Sequence, residues 1–293
     1  MADVVELGAD RWLRNGEPWQ PLGPFYAVLG DPVAHSYSPR MQNAALKERE
    51  IDAEYVAVRI KAGRLRQLKE GPASRWLAGF NVTAPLKEAV AALCDGRTDQ
   101  ARDTGAVNTV RVAEGRWLGH NTDSGGIHTV LAQAWPGEGP PGRAVVLGAG
   151  GSARAAVDAL HRWGVEQVAV RNRSALGRER FGSWLAGRGW ADTVTVQNLE
   201  AGEEPVPSVP TVWVCCLAAG VDATPFLPVA AGHDPALLLD LRYGEQIPPG
   251  HPPLGFQHLD GLPVLLMQGG LAFAWWFGPP VPWPVMRDAL MWG

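Results

Sequence analysis

The chain has 293 residues, 46% of them hydrophobic and 19% charged, which is enough apolar material for two domain cores and excludes wholesale disorder. Its 30 acidic and 26 basic residues give a net charge of −4, so a broadly basic nucleic-acid or membrane surface is not indicated. The acidic start MADVVELGAD lacks the basic n-region of a secretory signal, and no apolar run approaches the roughly 18 residues that span a bilayer.

Three cysteines, Cys94, Cys215 and Cys216, form no CxxC pair, so neither a disulfide framework nor a metal site is expected, and a reducing cytoplasm is the simplest compartment. Only four of the basic residues are lysine: Lys47, Lys61, Lys69 and Lys87. Gly, Pro and Trp are also abundant, as a compositional bias of the whole sequence would produce. Each lysine that remains therefore calls for a reason.

In chain order, the first twenty-odd residues read as an irregular extension or a short edge element. Phe25–Gly30 is a compact apolar strand, and Ser38-Pro39 reads as a cap followed by proline at the first helical position of a helix reaching about Glu50. Glu54–Ile60 and Gly79–Thr83 are strands, and Pro85–Cys94 is a helix opened by its proline. Val107–Val112 and Trp117–Thr122 form a hairpin about Glu114-Gly115, and Gly125–Trp135 is a helix. Pro136–Gly142 has the composition of a linker. A strand at Ala144–Leu147, a helix at Ser152–Trp163 and a strand at Gln167–Val170 follow. Further apolar runs occupy Thr211–Leu217 and Leu237–Leu241, with loops at Gly202–Pro210 and Pro248–Gly255. The last thirty residues are apolar and helical, with a break at Pro279–Pro284. Strands alternating with helices predict an α/β fold with parallel sheets.

The segment AVVLGAGGSARAA is the most informative local motif. An apolar strand runs into Gly148-Ala149-Gly150-Gly151-Ser152-Ala153, and a helix begins at once, giving the G-x-G-x-x-A spacing of a dinucleotide-binding turn. Gly148 permits the tight turn, Gly150 lets backbone approach a pyrophosphate, and small Ala153 allows close helix packing. Gly151 and Ser152 then bring helix N-terminal N–H groups to the phosphates. An NAD site usually carries Asp or Glu at the end of the next strand. Here that strand ends Arg171-Asn172-Arg173-Ser174, with no carboxylate and two guanidinium groups suited to a 2′-phosphate. NADP is therefore the expected cofactor.

In the first half, polar clusters follow the apolar strands: Gly30–Pro39, Asn81–Lys87, Gly105–Thr109 and Asn121–Asp123. They offer hydroxyls, amides, one ammonium and one carboxylate, which suits a small polyhydroxylated carboxylate. Lys47, Lys61 and Lys69 lie in polar stretches with no motif around them, whereas Lys87 stands in one of the clusters.

The segments GDPVAHSYSP, NVTAPLKEAV, GAVNT, GHNTD, VLGAGGSARA and NRS resemble, in order and spacing, those of the shikimate dehydrogenase family. The likeness is close over 26–175 and resumes near 262–278. It implies a substrate domain at 1–124, an NADP-binding Rossmann domain at 125–262, and C-terminal helices at 263–293 returning to the substrate domain. It implies that Lys87 and Asp123 form the catalytic pair. It also implies that Ser36 and Ser38 bind the substrate carboxylate, with Tyr243 a further contact to it, and that Thr83, Asn108 and Gln268 hold ring hydroxyls. Gly148, Gly150, Gly151, Ser152, Asn172, Arg173 and Ser174 would bind NADP. The implied reaction is the reversible NADPH-dependent reduction of 3-dehydroshikimate to shikimate in chorismate and aromatic amino-acid biosynthesis, by a cytoplasmic monomer or homodimer. No nucleic acid or membrane partner is implied.

The second half departs from the family pattern. Val214-Cys215-Cys216-Leu217-Ala218 replaces an Asn-Ala-Thr-like segment, and Gly244-Glu245 follows Tyr243 where Asn-Pro is usual. Gly269 and Gly270 interrupt a helix at about 1 kcal/mol each relative to Ala. Two alternatives follow: a quinate/shikimate-type dehydrogenase with altered substrate or cofactor, and a non-catalytic NADP-binding regulator.

Overall fold

Tight turns and apolar strands build the first of two sheets. The computed structural model describes residues 4–9, 11–200, 209–228, 236–248 and 256–291. They fall into two units, Met1–Thr122 with Leu265–Gly293, and Asp123–Val264.

The N-terminal residues are not an irregular extension. They form β1 (Val4–Leu7), β2 (Trp12–Arg14) and β3 (Glu17–Trp19), an antiparallel meander. The reason is Asn15-Gly16, with φ of 54° and 85°, which makes the two-residue turn that pairs Arg14 with Glu17. After β4 (Phe25–Gly30) come α1 (Ser38–Glu48), β5 (Glu54–Arg59), α2 (Leu65–Glu70), β6 (Leu77–Val82) and α3 (Lys87–Leu93). Next are β7 (Gly96–Arg97), α4 (Asp99–Thr104), β8 (Thr109–Ala113) and β9 (Arg116–His120). The sheet order is β3-β2-β1-β5-β4-β6-β8-β9-β7, with β5, β4 and β6 parallel and β8 antiparallel to β6. Phe25, Ala27 and Leu29 of β4 pack with Val56, Val58, Phe80 and Val82 in one buried core.

Two helix starts differ from expectation. Ser38 is the first helical residue, and Tyr37 stands at the cap without a side-chain capping bond. Pro85 precedes its helix, which begins at Lys87. Lys69, which has no motif around it, is nonetheless built in: its ammonium donates to Leu93 O (2.7 Å) and Asp95 Oδ1 (2.9 Å), and Asp95 Oδ2 accepts from Trp117 N (2.7 Å).

The second unit holds α5 (Asp123–Ala134), β10 (Arg143–Leu147), α6 (Gly151–Trp163), β11 (Gln167–Asn172), α7 (Ala175–Ala186), β12 (Val194–Asn198), β13 (Thr211–Cys215), β14 (Ala236–Asp240) and β15 (Gln257–Leu259). All strands are parallel in the order β12-β11-β10-β13-β14-β15. Counted within the unit, this is the 3-2-1-4-5-6 order of a doubly wound dinucleotide fold, with its switch point between β10 and β13. The proline-rich stretch 136–142 is a loop inside this unit and not a boundary. Helix α5 belongs here because the Ser124 hydroxyl bonds the buried Asp158 of α6, whose carboxylate also takes Arg162 Nε at 2.9 Å. The loops expected at 202–210 and 248–255 lie almost wholly outside the described residues.

The chain ends in α8 (Leu262–Phe277) and α9 (Trp283–Met291). From residue 265 onward they belong with the first sheet: Trp276 Nε1 donates to Val110 O (3.1 Å) and Arg40 Nη2 to Leu290 O (2.8 Å). The two glycines of α8 are sites of close approach. A Cβ at Gly269 would run into Met41 of α1, and one at Gly270 into the Trp283 ring of α9. No helix among the described residues is long and apolar enough to cross a membrane. Gly270→Ala is expected to lower the thermal midpoint, because overpacking of about 1–3 kcal/mol outweighs a helix-propensity gain of about 1 kcal/mol. A raised midpoint in thermal unfolding would contradict this packing.

Candidate active site

In the first unit, three polar loops leave the sheet at one edge. Parallel β4 and β6 end side by side, where Thr83 N donates to Leu29 O at 2.9 Å. Antiparallel β8 starts beside the end of β6, and Val82 N donates to Asn108 O at 2.8 Å. This pairing brings together the Ser36–Ser38 loop after β4, Thr83 and Lys87 after β6, and Asn108 before β8. Ser36 Oγ accepts from Ser38 N (3.3 Å), and Ser38 opens α1, whose N-terminus is the positive end of its dipole. Lys87 is the first residue of α3, and its carbonyl takes Val107 N at 3.1 Å. In the GAVNT segment, Gly105 ends α4 with φ of 62°, a left-handed turn that favours glycine.

Asn108 is nearly fully buried and closely bonded. Its Oδ1 accepts from Thr122 N (2.8 Å) and Thr109 Oγ1 (3.0 Å). Its Nδ2 donates to Thr122 Oγ1 (2.9 Å) and Gln268 Oε1 (3.3 Å). Helix α1 is tied to α8 next to Gln268 by Gln42 Nε2 donating to Gly269 O at 3.0 Å. Five sequence-predicted residues thus converge within one unit with Gln268: Ser36, Ser38, Thr83, Lys87 and Asn108. Asp123 follows Thr122 directly in the chain and is the buried first residue of α5, in the second unit.

The nucleotide-fold residues are placed as their spacing predicts. Gly148 has φ of +112°, and a Cβ there would lie 2.9 Å from Cys216 O. Gly150 caps α6 with no side-chain bond, so no side chain caps the first turn, which is what a pyrophosphate needs. Ala153 is fully buried against the sheet. At the end of β11, Asn172 Nδ2 donates to Ser174 O (3.1 Å), and Ser174 Oγ caps α7 by accepting from Gly177 N (3.2 Å). Arg173 is exposed, and its guanidinium makes no hydrogen bond or ion pair among the described residues. Free cationic charge without a carboxylate fits NADP better than NAD.

Sequence reasoning missed Arg178. Its Nη1 donates to Asn172 O (2.8 Å), Arg173 O (2.8 Å) and Asn198 Oδ1 (2.7 Å), which fixes the loop that carries Arg173. It missed Asp240 and Arg242 as well, a buried bidentate pair at the end of β14 (Nη2–Oδ2 2.6 Å, Nε–Oδ1 2.9 Å). Arg242 also donates to Ala218 O (3.2 Å) and Val221 O, so it anchors the loop after β13 beside Tyr243. Neither arginine stands in a motif, and only strand adjacency reveals them. Cys215 is buried in β13, and burial pushes its thiol up to about 12, which leaves it a protonated, inert core group.

A doubly wound unit fitted to NADP, together with a sheet edge bearing hydroxyls, amides and an ammonium, defines the class of nicotinamide-dependent oxidoreductases. Residues 28–110 match the shikimate dehydrogenase substrate-binding domain. Over 271 residues the chain is 38% identical to a shikimate dehydrogenase (NADP(+)) of Anaeromyxobacter sp. strain Fw109-5, covering 90% of this chain and 95% of that one. It resembles the shikimate 5-dehydrogenase of Thermus thermophilus in complex with NADP(H) and shikimate, with a TM-score of 0.68 and 30% identity over 92% of this chain and 98% of that one. It also resembles 5-ketofructose reductase of Gluconobacter sp. strain CHM43, with a TM-score of 0.74 and 27% identity over 92% and 98% of the two chains. The chain belongs to the shikimate dehydrogenase family.

Proposed function

We propose that this protein catalyses the reversible, NADP-dependent interconversion of 3-dehydroshikimate and shikimate, a step of chorismate and aromatic amino-acid biosynthesis. The observation that carries the reading is the convergence of Ser36, Ser38, Thr83, Lys87 and Asn108 at one sheet edge, with Gln268 bonded to Asn108. The relatives support the same activity. Three free cysteines are in keeping with a cytoplasmic setting.

The roles follow from the chemistry of each group. Ser36 and Ser38 donate hydroxyl hydrogen bonds to the substrate carboxylate at the positive end of α1, and Tyr243 is a further contact to it. Thr83, Asn108 and Gln268 hold ring hydroxyls. The first turn of α6, with Gly148, Gly150, Gly151 and Ser152, holds the pyrophosphate of NADP. Asn172, Arg173 and Ser174 hold its 2′-phosphate. When bound, the reduced nicotinamide supplies hydride. Lys87 gives a proton to the carbonyl oxygen as negative charge develops there, and in the reverse direction takes the hydroxyl proton back. Arginine stays protonated and cannot do this. Asp123 is, on the family resemblance, the carboxylate member of the catalytic pair.

Absorbance of the reduced nicotinamide should report turnover with shikimate and NADP. Turnover confined to quinate, to 5-ketofructose or to NAD would contradict the reading, and tight NADP binding without any turnover would favour a regulator. Lys87→Ala should reduce turnover at least about 10²-fold with the fold intact. Arg173→Ala should raise KM for NADP well above any change for NAD, and an equal rise for both would remove Arg173 from the 2′-phosphate site.

A further inference from the structure

The first unit has a second concave site, at the end of its sheet away from the candidate active site. Pro72–Trp76 form a short 3-10 helix that leads into β6, and Trp19 of β3 precedes β4. Ser36 and Thr83 follow the opposite ends of β4 and β6. Each of these strands has six residues, which at about 3.3 Å per residue sets the two ends about 20 Å apart. Between the 3-10 helix and the β2–β3 hairpin lies an open cavity of about 470 Å³, within the range of about 300–1,000 Å³ usual for small-molecule sites.

Tryptophan builds its walls. Trp12 and Trp19 stand opposite each other in the β2–β3 register and so project from the same face. Phe25 packs edge to face against both, with ring centroids at 5.5 Å and 5.2 Å. Trp12 is buried, and its Nε1 donates to Ala73 O (2.9 Å), which ties the hairpin to the 3-10 helix that carries Trp76. Three prolines also line the cavity and stiffen its backbone. The polar side chains there are chiefly donors. The indole N–H groups of half-buried Trp19 and Trp76 make no hydrogen bond among the described residues. Exposed Arg75 lies 5.0 Å from the Trp76 ring and makes no hydrogen bond or ion pair among the described residues. Arg11 adds a second guanidinium, and no described lining residue is acidic. Arg14 is outside the lining, held by Glu54 (2.7 Å) and by the Trp19 ring (4.3 Å).

The geometry points to a binding site for a planar aromatic carboxylate in this cavity, separate from the candidate active site. The indole walls take the ring, since aromatic pairs add to the energy of simple area burial. Arg75 and Arg11, both exposed, take the acid group at the mouth, because a guanidinium meets a carboxylate through two parallel hydrogen bonds. A neutral aromatic would forgo the charge, and an aliphatic acid would forgo the ring contacts. Both features are needed together.

The test is calorimetric titration of the full chain with 2-naphthoate. Two comparators are titrated beside it: 2-naphthamide, which keeps the rings without the charge, and cyclohexanecarboxylate, which keeps the charge without an aromatic ring. Each titration is repeated with shikimate and NADP present. 2-Naphthoate should bind at one site, equally well with and without shikimate and NADP, and at least about tenfold more tightly than either comparator. Arg75→Glu and Trp76→Ala should each weaken it at least about tenfold, the value of one charge-assisted hydrogen bond or one aromatic contact. Thermal unfolding checks that each variant is folded, and Arg75→Glu, at an exposed position, decides the matter if Trp76→Ala is not. Absence of saturable binding, displacement by shikimate or NADP, a comparator that binds as tightly, or undiminished binding to a folded variant overturns the inference.

Discussion

The first unit depends on what happens to backbone groups where strands end. Thr122, just past β9, has no strand partner for its N–H, and a buried N–H must find an acceptor. It finds Asn108 Oδ1 at 2.8 Å. Together with Asn108 N donating to His120 O at 3.1 Å, that bond ties the start of β8 to the end of β9, and it leaves Asn108 Nδ2 directed towards α8. Asp123 follows in the next position of the chain. The residue types of the GAVNT and GHNTD segments follow from this: glycine to end α4 in a left-handed turn, an amide to bridge, and a hydroxyl and an N–H to receive it.

The second unit solves a different problem with the same economy of groups. Its parallel strands all end at one edge, and the β10–α6 turn brings N–H groups there without a capping side chain. Carbonyls at that edge are taken up by arginines: Arg178 for the loop after β11, and Arg242 for the loop after β13. In a chain where arginine supplies 22 of 26 basic residues, guanidinium serves wherever several fixed donors are needed. The polar segment usual in the family after β13 is replaced by Cys215-Cys216. Cys216 still meets the turn through its backbone, N donating to Leu147 O at 2.8 Å, so this contact does not require the family's side chains.

Local signals were legible and long-range ones were not. The dinucleotide turn, the Glu114-Gly115 hairpin and the alternation of strand and helix could be read from the sequence because each lies within a few residues. The Asn15-Gly16 turn was equally local, yet the short strands around it carry two tryptophans, a proline and charges, which obscured their alternation. Proline marked the first turn of α1 correctly at Pro39 and misled at Pro85, where the helix starts at Lys87 instead. Lys69, Arg178 and Arg242 show their roles only through partners on neighbouring strands or helices. Gly269 and Gly270 look like flaws in a helix until Met41 and Trp283 are placed against them.

Lysine scarcity gains meaning from these positions. Lys69 is a structural tie whose ammonium bonds one carbonyl and one carboxylate. Lys87 stands at the edge where Ser36, Ser38, Thr83 and Asn108 gather, and the proposed reaction needs a group there that can give up a proton. The central claim is that Lys87 carries the proton. The most direct measurement is single-turnover oxidation of shikimate by Lys87→Arg, with shikimate binding followed separately by tryptophan fluorescence. We expect near-normal binding and hydride transfer slowed by at least about 10²-fold, because charge is kept and proton transfer is lost. Single-turnover rates close to those of the wild type would contradict that claim.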